Sequence, residues 1–489
     1  MDTTTPAAKA RGTGGIVGVL AFAGIVASLM SSLVVPLIGE LPRLLDTTAA
    51  DASWAVTATL LSAAVATPIS GRLGDMYGKR RMLLICAVPL IVGSIVCALA
   101  GSLAPMVIGR ALQGLGTGMV PLGISALRDL LPPERMGSAI ALISSSMGIG
   151  GALGLPLAAG VAENTSWRIL FWAAAALGAL VAALVWFRIP ATPPRPDVGR
   201  FDFVGAVGLG TGLVCLLLGV SKGSDWGWGS ATTTGLLAAA VVALVAWGWW
   251  ELRTRDPLVD LRVAARRQVL LTNATSVVLG FSMYAQALIL PQLLQLPEAT
   301  GYGLGQSMLA MGLWMAPAGL MMMALSPVGA RLSAARGPKT TLIVGALVMA
   351  LGYGSSLALM GSPWTVMVVS CVVNAGIGLG YGAMPALIMA AVPESETASA
   401  NGFNTLMRAI GTAVAAALVG VILSQMTTDF GGHVLPSEGG FRTGMLIGCG
   451  MALLAAAIAS AIPGRGPREA ANSRTEPGRT PDAVTTMRG

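Results

Sequence analysis

The sequence contains a single histidine, His433, and that scarcity removes several classes of chemistry at once. No His-based catalytic triad and no multi-histidine metal site can be assembled from it. Cysteine is nearly as sparse. Cys86, Cys97, Cys215, Cys371 and Cys449 each lie within an apolar run, and none forms a CxxC pair. That pattern supports neither a disulfide framework nor a metal centre, and reads as small buried hydrophobes. Gly-rich runs such as Gly116-Thr117-Gly118 have no following Lys-Ser/Thr, so they are not phosphate-binding loops. No cofactor is implied, and no enzyme is expected.

The most telling shortage is charge. Only 11% of residues are Asp, Glu, Lys or Arg, against roughly 25% in soluble domains. What fills the space is apolar: 54% of 489 residues, with a mean hydropathy of +0.76. A single water-soluble core stops growing near about 300 residues, so the surplus is expected to face lipid. The 64 glycines have no period of three, which excludes collagen, and suit close helix packing in a bilayer. The net charge of +8 would fit a nucleic-acid binder, but the basic residues sit between apolar runs, which speaks against that partner.

The apolar runs predict an all-α polytopic membrane protein with fourteen spans. We place them near 14–38, 53–71, 82–101, 104–127, 136–161, 168–187, 203–221, 230–250, 269–292, 306–329, 340–360, 364–391, 402–426 and 442–462. Five segments follow. Residues 1–13 form a polar N-terminus and 14–187 a first six-helix bundle. Residues 188–268 hold a Pro-rich linker and two inserted helices. Residues 269–463 form a second six-helix bundle, and 464–489 a disordered tail. An even count puts both termini on one side. By the positive-inside rule that side is the cytoplasm of a cell membrane. Of the 30 Lys and Arg, only Arg43, Arg168, Lys222 and Arg442 fall on the outer side, and Arg110 and Arg408 fall inside spans. A Gly-and-basic turn follows the second span (Gly71–Arg81) and recurs after the tenth (Gly329–Lys339), where it lacks the acid. That echo suggests two related halves.

Gly71-Arg-Leu73-Gly-Asp75-Met-Tyr-Gly78-Lys79-Arg80-Arg81 is expected to be a tight loop between two spans. It closely resembles the loop signature of the major facilitator superfamily, except that Met76 stands where a basic residue is usual. Arg110-Ala-Leu-Gln113-Gly114-Leu-Gly-Thr-Gly118 resembles that family's fourth-helix motif. Gly151-Ala-Leu-Gly-Leu-Pro156-Leu-Ala-Ala-Gly160 resembles its antiporter-type motif, with Leu155 and Ala159 as departures. With fourteen spans, the chain resembles the fourteen-helix drug:proton antiporter branch. That resemblance implies the major-facilitator fold, alternating access, and proton-driven export of small hydrophobic or cationic compounds by a monomer. The alternative is uptake, or proton-independent movement, of a metabolite or lipid. The resemblance also implies that Asp75 acts as a gate latch against span thirteen.

One departure bears on coupling. Many members of that branch carry an Asp in the first span, where this chain has Met30. No Asp or Glu falls near the middle of any span. Arg110, with Gln113 one turn on, is expected to form a polar centre facing the bundle interior, because a charge inside a span is costly. Arg408 is expected to be mainly structural. Asn273, Tyr284, Gln286, Trp314 and Asn374 are candidates for polar anchors in an otherwise apolar substrate cavity. Trp226, Trp228, Trp247, Trp249 and Trp250 are expected to anchor helices at the membrane interface.

Overall fold

The computed structural model describes residues 6–34, 37, 40–191, 199–430 and 433–463. The expected disordered tail at 464–489 and the core of the Pro-rich linker at 192–198 lie outside the described residues.

Nearly every element is an α-helix, because apolar segments in lipid must satisfy their backbone groups internally. The long helices are α1 (Pro6–Ser32), α2 (Trp54–Tyr77), α3 (Lys79–Leu99), α4 (Leu103–Leu115) and α5 (Met119–Leu130). They continue with α6 (Pro133–Asn164), α7 (Arg168–Arg188), α8 (Phe203–Trp226), α9 (Ala231–Arg253), α10 (Arg267–Gln295) and α11 (Met308–Arg336). The rest are α12 (Pro338–Ser355), α13 (Pro363–Gly380), α14 (Ala383–Met389), α15 (Thr397–Gln425) and α16 (Glu438–Ser460). Among the described residues, 12 helical segments are long and apolar enough to cross a membrane. Two further stretches stand where the sequence places spans four and eleven. One is α4–α5, broken by a 3-10 turn at Gly116–Gly118, and the other is the short α12, which starts at Pro338 with Lys339 in its first turn. With these the structure is consistent with fourteen passes.

Three local features depart from expectation. Gly71–Arg81 is not a loop: α2 continues through Tyr77, and only Gly78, at φ 90°, interrupts the chain before α3 starts at Lys79. A helix gains a hydrogen bond for each residue it is extended, so it ends where a positive φ stops it. The first span's helix ends at Ser32, short of the expected Ile38. Between α15 and α16 a two-stranded hairpin, β1 (Thr427–Phe430) with β2 (His433–Pro436), was not foreseen in an all-α chain.

Two buried cores organise the bundle. One joins α1–α7, with Leu83, Leu122 and Phe171 among its fully enclosed side chains. The other joins α10–α16 around Phe281, Tyr353 and Phe441. The two most extensive crossings between these cores are α2 with α15 and α6 with α11, and α5 also packs on α15. The inserted pair α8–α9 packs on itself, and α8 lies against both α2 and α15. Its core shares Ala64 of α2 with Leu406 and Ala413 of α15.

Glycine sets the closest approaches, since helices in lipid associate by fit and not by expelling water. A Cβ on Gly376 of α13 would stand 2.6 Å from the Met349 amide nitrogen of α12. Backbone cannot yield as a side chain can, so Gly376→Leu is expected to cost about 3 kcal/mol or more by overpacking. The readout is the monodisperse fraction of detergent-solubilised protein. A Leu variant matching wild type would show that α12 and α13 pack less tightly than this.

Candidate functional site

Asp75 stands near the end of α2, and Gly71, one turn earlier, has no side chain for a reason visible in the packing. A Cβ there would meet the Ala398 carbonyl carbon at 3.0 Å and the Ser399 Cα at 3.1 Å. That proximity brings the first turn of α15 onto the Asp75 carboxylate, which is 7% exposed. The Ala398 N–H donates to both carboxylate oxygens, at 3.2 and 3.1 Å, and the Ser399 N–H donates to Oδ2 at 2.9 Å. These are donors that a helix start leaves without partners, and the anion sits at the positive end of the α15 dipole.

A cation completes the arrangement. The Lys79 ammonium, also buried, lies 3.9 Å from Asp75 Oδ1 and donates to Asp129 Oδ2 at 2.6 Å. The start of α3 and the end of α5 are thereby tied to the same point. Arg80 turns elsewhere, donating to the Trp186 carbonyl at 2.6 Å and lying over its ring. Arg81 is exposed, and Leu73 packs against the first core.

Sequence reasoning missed a second set of bonds to the same turn. Arg128 of α5 donates to Thr397 Oγ1 at 2.8 Å and to the Val392 carbonyl at 3.3 Å. Ser125 donates to the Thr397 carbonyl at 3.3 Å, and Asn401 Nδ2 donates to Ser125 Oγ at 3.3 Å. In the sequence Arg128 is simply one of the basic residues between apolar runs. It stands three residues from Ser125, beside Asp129, but nothing in the sequence points to its partners on the far side of the chain.

Arg110 is 2% exposed, and its bonds are mostly to backbone. Nε donates to the Ala55 carbonyl at 3.0 Å, and NH1 to the Met30 carbonyl at 3.2 Å and to Gln113 Oε1 at 2.6 Å. Gln113 passes the chain on to Ser94 Oγ at 2.8 Å. One side chain therefore links α1, α2, α3 and α4, and no ion pair among the described residues includes it. Met30, standing where an acid is common in the branch resembled, supplies its carbonyl. Gly114 lets α2 approach: a Cβ would lie 3.1 Å from the Ala63 amide nitrogen.

The Gly-rich helix α6 contains Pro156 without a break in its helical run. Its close approaches fall beside the expected positions. A Cβ on Gly150 would stand 2.9 Å from the Leu29 nitrogen of α1, whereas one on Gly151 would reach Ser28 only at 3.9 Å. On the other side, a Cβ on Gly312 of α11 would lie 3.0 Å from Pro156 Cα, and one on Gly160 would lie 3.7 Å from Leu309. Thus α6 is wedged between α1 and α11.

The five expected cavity anchors are not gathered into one site. Asn273 accepts from Asn404 Nδ2 at 2.8 Å, inside the contact between α10 and α15. Gln286 is buried near Tyr353, and its Oε1 has no hydrogen-bond partner. Trp314 donates to Gln306 at 2.9 Å and meets Trp364 edge-on at 4.6 Å. Asn374 bonds its own helix at Ser370, and Tyr284 is half-buried at the second core. Polar side chains in a span first satisfy one another or their own backbone, which scatters them. Tyr381, unmarked in the sequence, does bridge the halves. Its hydroxyl reaches Met147 Sδ of α6 at 3.4 Å, and Arg408 lies over its ring at 4.5 Å.

Known proteins share this architecture. A family model described as Major Facilitator Superfamily matches residues 20–416. The chain is 28% identical over 428 residues to a multidrug resistance protein B homolog of Mycobacterium tuberculosis (strain ATCC 25618 / H37Rv), covering 83% of this chain and 77% of that one. It is 29% identical over 444 residues to the tetracenomycin C resistance and export protein of Streptomyces glaucescens, covering 87% and 79%. The crystal structure of the human organic anion transporter MFSD10 superposes with a TM-score of 0.66 at 16% identity, covering 93% of this chain and 100% of that one. Many membrane-crossing helices, two cores joined by crossing helix pairs, and a family match over most of the length converge: the chain is a multi-span membrane transporter belonging to the Major Facilitator Superfamily.

Proposed function

We propose that the chain exports small hydrophobic or cationic compounds by proton antiport, alternating between states open to opposite faces of the cell membrane. One observation carries the reading. The strongest polar contact between the two cores is Asp75 on the first turn of α15, confined to one end of the bundle. A buried, charged contact at one face is what a gate requires, the opposite ends of α6 and α11 being joined, among the described residues, only by an exposed bond from the Leu309 N–H to Glu163 at 3.3 Å; Lys79, Arg80 and Arg81 mark the Asp75 face as cytoplasmic. Relatives named for multidrug resistance and for antibiotic export support the direction and the substrate class. On this reading the protein acts as a monomer, with both termini in the cytoplasm and with protons and the bilayer as its other partners.

The runner-up is proton-independent movement or uptake of a metabolite or lipid. It draws on the absence of any Asp or Glu from the middle of a span. Everted membrane vesicles separate the two. With an imposed pH gradient, accumulation of a fluorescent lipophilic compound is expected, and an uncoupler is expected to abolish it. Accumulation that an uncoupler leaves intact would favour the runner-up, and uptake into whole cells would reverse the direction.

A further inference from the structure

The inserted helices carry a pair of buried acids that the gate contact does not use. Asp202 caps the start of α8, accepting from the Gly205 N–H at 2.8 Å, and is 8% exposed. Glu251, in the last turn of α9, is 2% exposed. The two face each other across Gly205: a Cβ there would clash with Asp202 Oδ2 and stand 2.8 Å from Glu251 Oε1. Two of the expected interface tryptophans turn their indoles inward to this pair. Trp250 Nε1 donates to Asp202 at 3.0 and 3.2 Å, and Trp247 Nε1 donates to Glu251 Oε1 at 2.8 Å.

The two acids are unequally served. Asp202 receives a backbone and an indole donor and is satisfied as an anion. Glu251 Oε2 is buried and has no hydrogen-bond partner. The Leu258 and Val259 amides point toward this carboxylate without completing a bond to Oε2. A second full negative charge here would stand beside Asp202 in a poorly solvated pocket.

The Glu251 pocket is also connected to the gate. The Leu258 carbonyl accepts from Ser399 Oγ at 3.0 Å, and the same Ser399 donates its N–H to Asp75. A polar cavity of about 180 Å³ adjoins this turn, lined by Arg72, Arg255, Asp256, Asp260, Glu396 and Ser399. The charged group beside Glu251 is Asp202 on α8, while Arg255, Asp256 and Asp260 on the following turn line the cavity. Arg72 on α2 and Glu396 before α15 line it too, and Asp75 joins this turn only through Ser399.

We propose that Asp202 and Glu251 form a proton-binding site whose occupancy, relayed through the turn at Leu258, sets the gate at Asp75. With the proton on Glu251, the pair carries one negative charge and the turn at Leu258 stays bonded to Ser399. When the proton leaves, the new carboxylate draws the Leu258 and Val259 amides toward itself. That motion pulls the Leu258 carbonyl from Ser399 and loosens the first turn of α15 from Asp75. This rests on the reading of the Asp75 contact as a gate, and gives the inserted helices a role in it.

The test measures the gate directly. Spin labels at Tyr77→Cys and Glu394→Cys, in full-length protein whose five native cysteines are replaced, report the distance between the halves in lipid nanodiscs. From about pH 5 to about pH 9 the long-distance population is expected to rise in the wild-type background. Glu251→Gln, permanently neutral, is expected to lose that response and stay at the short distance. Asp202→Asn removes the neighbouring charge and is expected to move the response down by about one pH unit, while Trp247→Phe removes a donor to the carboxylate and moves it up. A flat wild-type profile, or a Glu251→Gln profile that follows wild type, overturns the proposal. If Glu251→Gln does not fold, the other two variants superimposing on wild type overturn it as well. Vesicle transport with no pH-dependent distance change refutes this switch alone, and a switch without transport refutes the export reading alone.

Discussion

Asp75→Asn is expected to lower transport at least tenfold while the protein still folds and reaches the membrane. The carboxylate serves two N–H donors and sits at a helix start, so its charge works with the helix dipole as well as with individual bonds. An amide oxygen keeps the shape but not the charge. Hydrogen bonds to charged groups contribute about 1.5–3 kcal/mol, and losing that advantage changes the closed-to-open ratio roughly 10–100-fold. Folding should survive, because Arg128 and Ser125 still hold the same turn of α15. The comparison is initial export rate per molecule of membrane-inserted protein. Asp75→Glu is a useful partner, since it keeps the charge but presses a longer chain against Gly71 and Ala398. Wild-type rates in the Asn variant would count against a gate at this position.

The second large effect is at Arg110, and its sign is not obvious beforehand. Placing a guanidinium in a span costs about 2.5–3.5 kcal/mol, so Arg110→Leu removes a penalty as well as three bonds. Those bonds are charge-assisted and serve the Met30 carbonyl, Gln113 Oε1 and the Ala55 carbonyl, which Thr59 Oγ1 also reaches at 3.3 Å. The balance is expected to favour arginine by about 2 kcal/mol. The Leu variant should therefore melt at a lower temperature in detergent and lose most export. Arg110→Lys should lose nearly as much, because one ammonium cannot reach carbonyls on α1 and α2 while also bonding Gln113. Combining Arg110→Leu with Gln113→Leu should cost much less than the sum of the two. Strict additivity would mean the pair does not act as one network.

Hydropathy made the helices legible, because a bilayer leaves a spanning segment almost no other conformation. Positions such as Leu83 or Phe281 needed no tertiary information to be assigned to spans. Asp75 was legible for a different reason: an acid beside three basic residues between apolar runs has few uses. The end of α2 was misjudged because composition does not say whether a polar turn leaves the helix. Only the φ of Gly78 settles that. Ser125, Arg128 and Tyr381 were invisible because their partners lie more than two hundred residues away. The cavity anchors are hard to read for the opposite reason. Asn273 and Trp314 looked free in the sequence, but each is satisfied by a neighbour that hydropathy cannot supply.

The position of the inserted helices also governs how the seams between the two bundles are closed. The two bundles meet chiefly along two lines of contact, α2 with α15 and α6 with α11. Leu209 and Leu213 of α8 lie over the first of these, beside Ala64 and Leu406, and shield it from the acyl chains. Among the described residues, neither inserted helix packs over the second. The two seams are therefore sealed by different means: the first by leucines of an added helix, the second by glycines that bring α6 and α11 together, where a Cβ on Gly319 would lie 3.0 Å from Ala152 Cα.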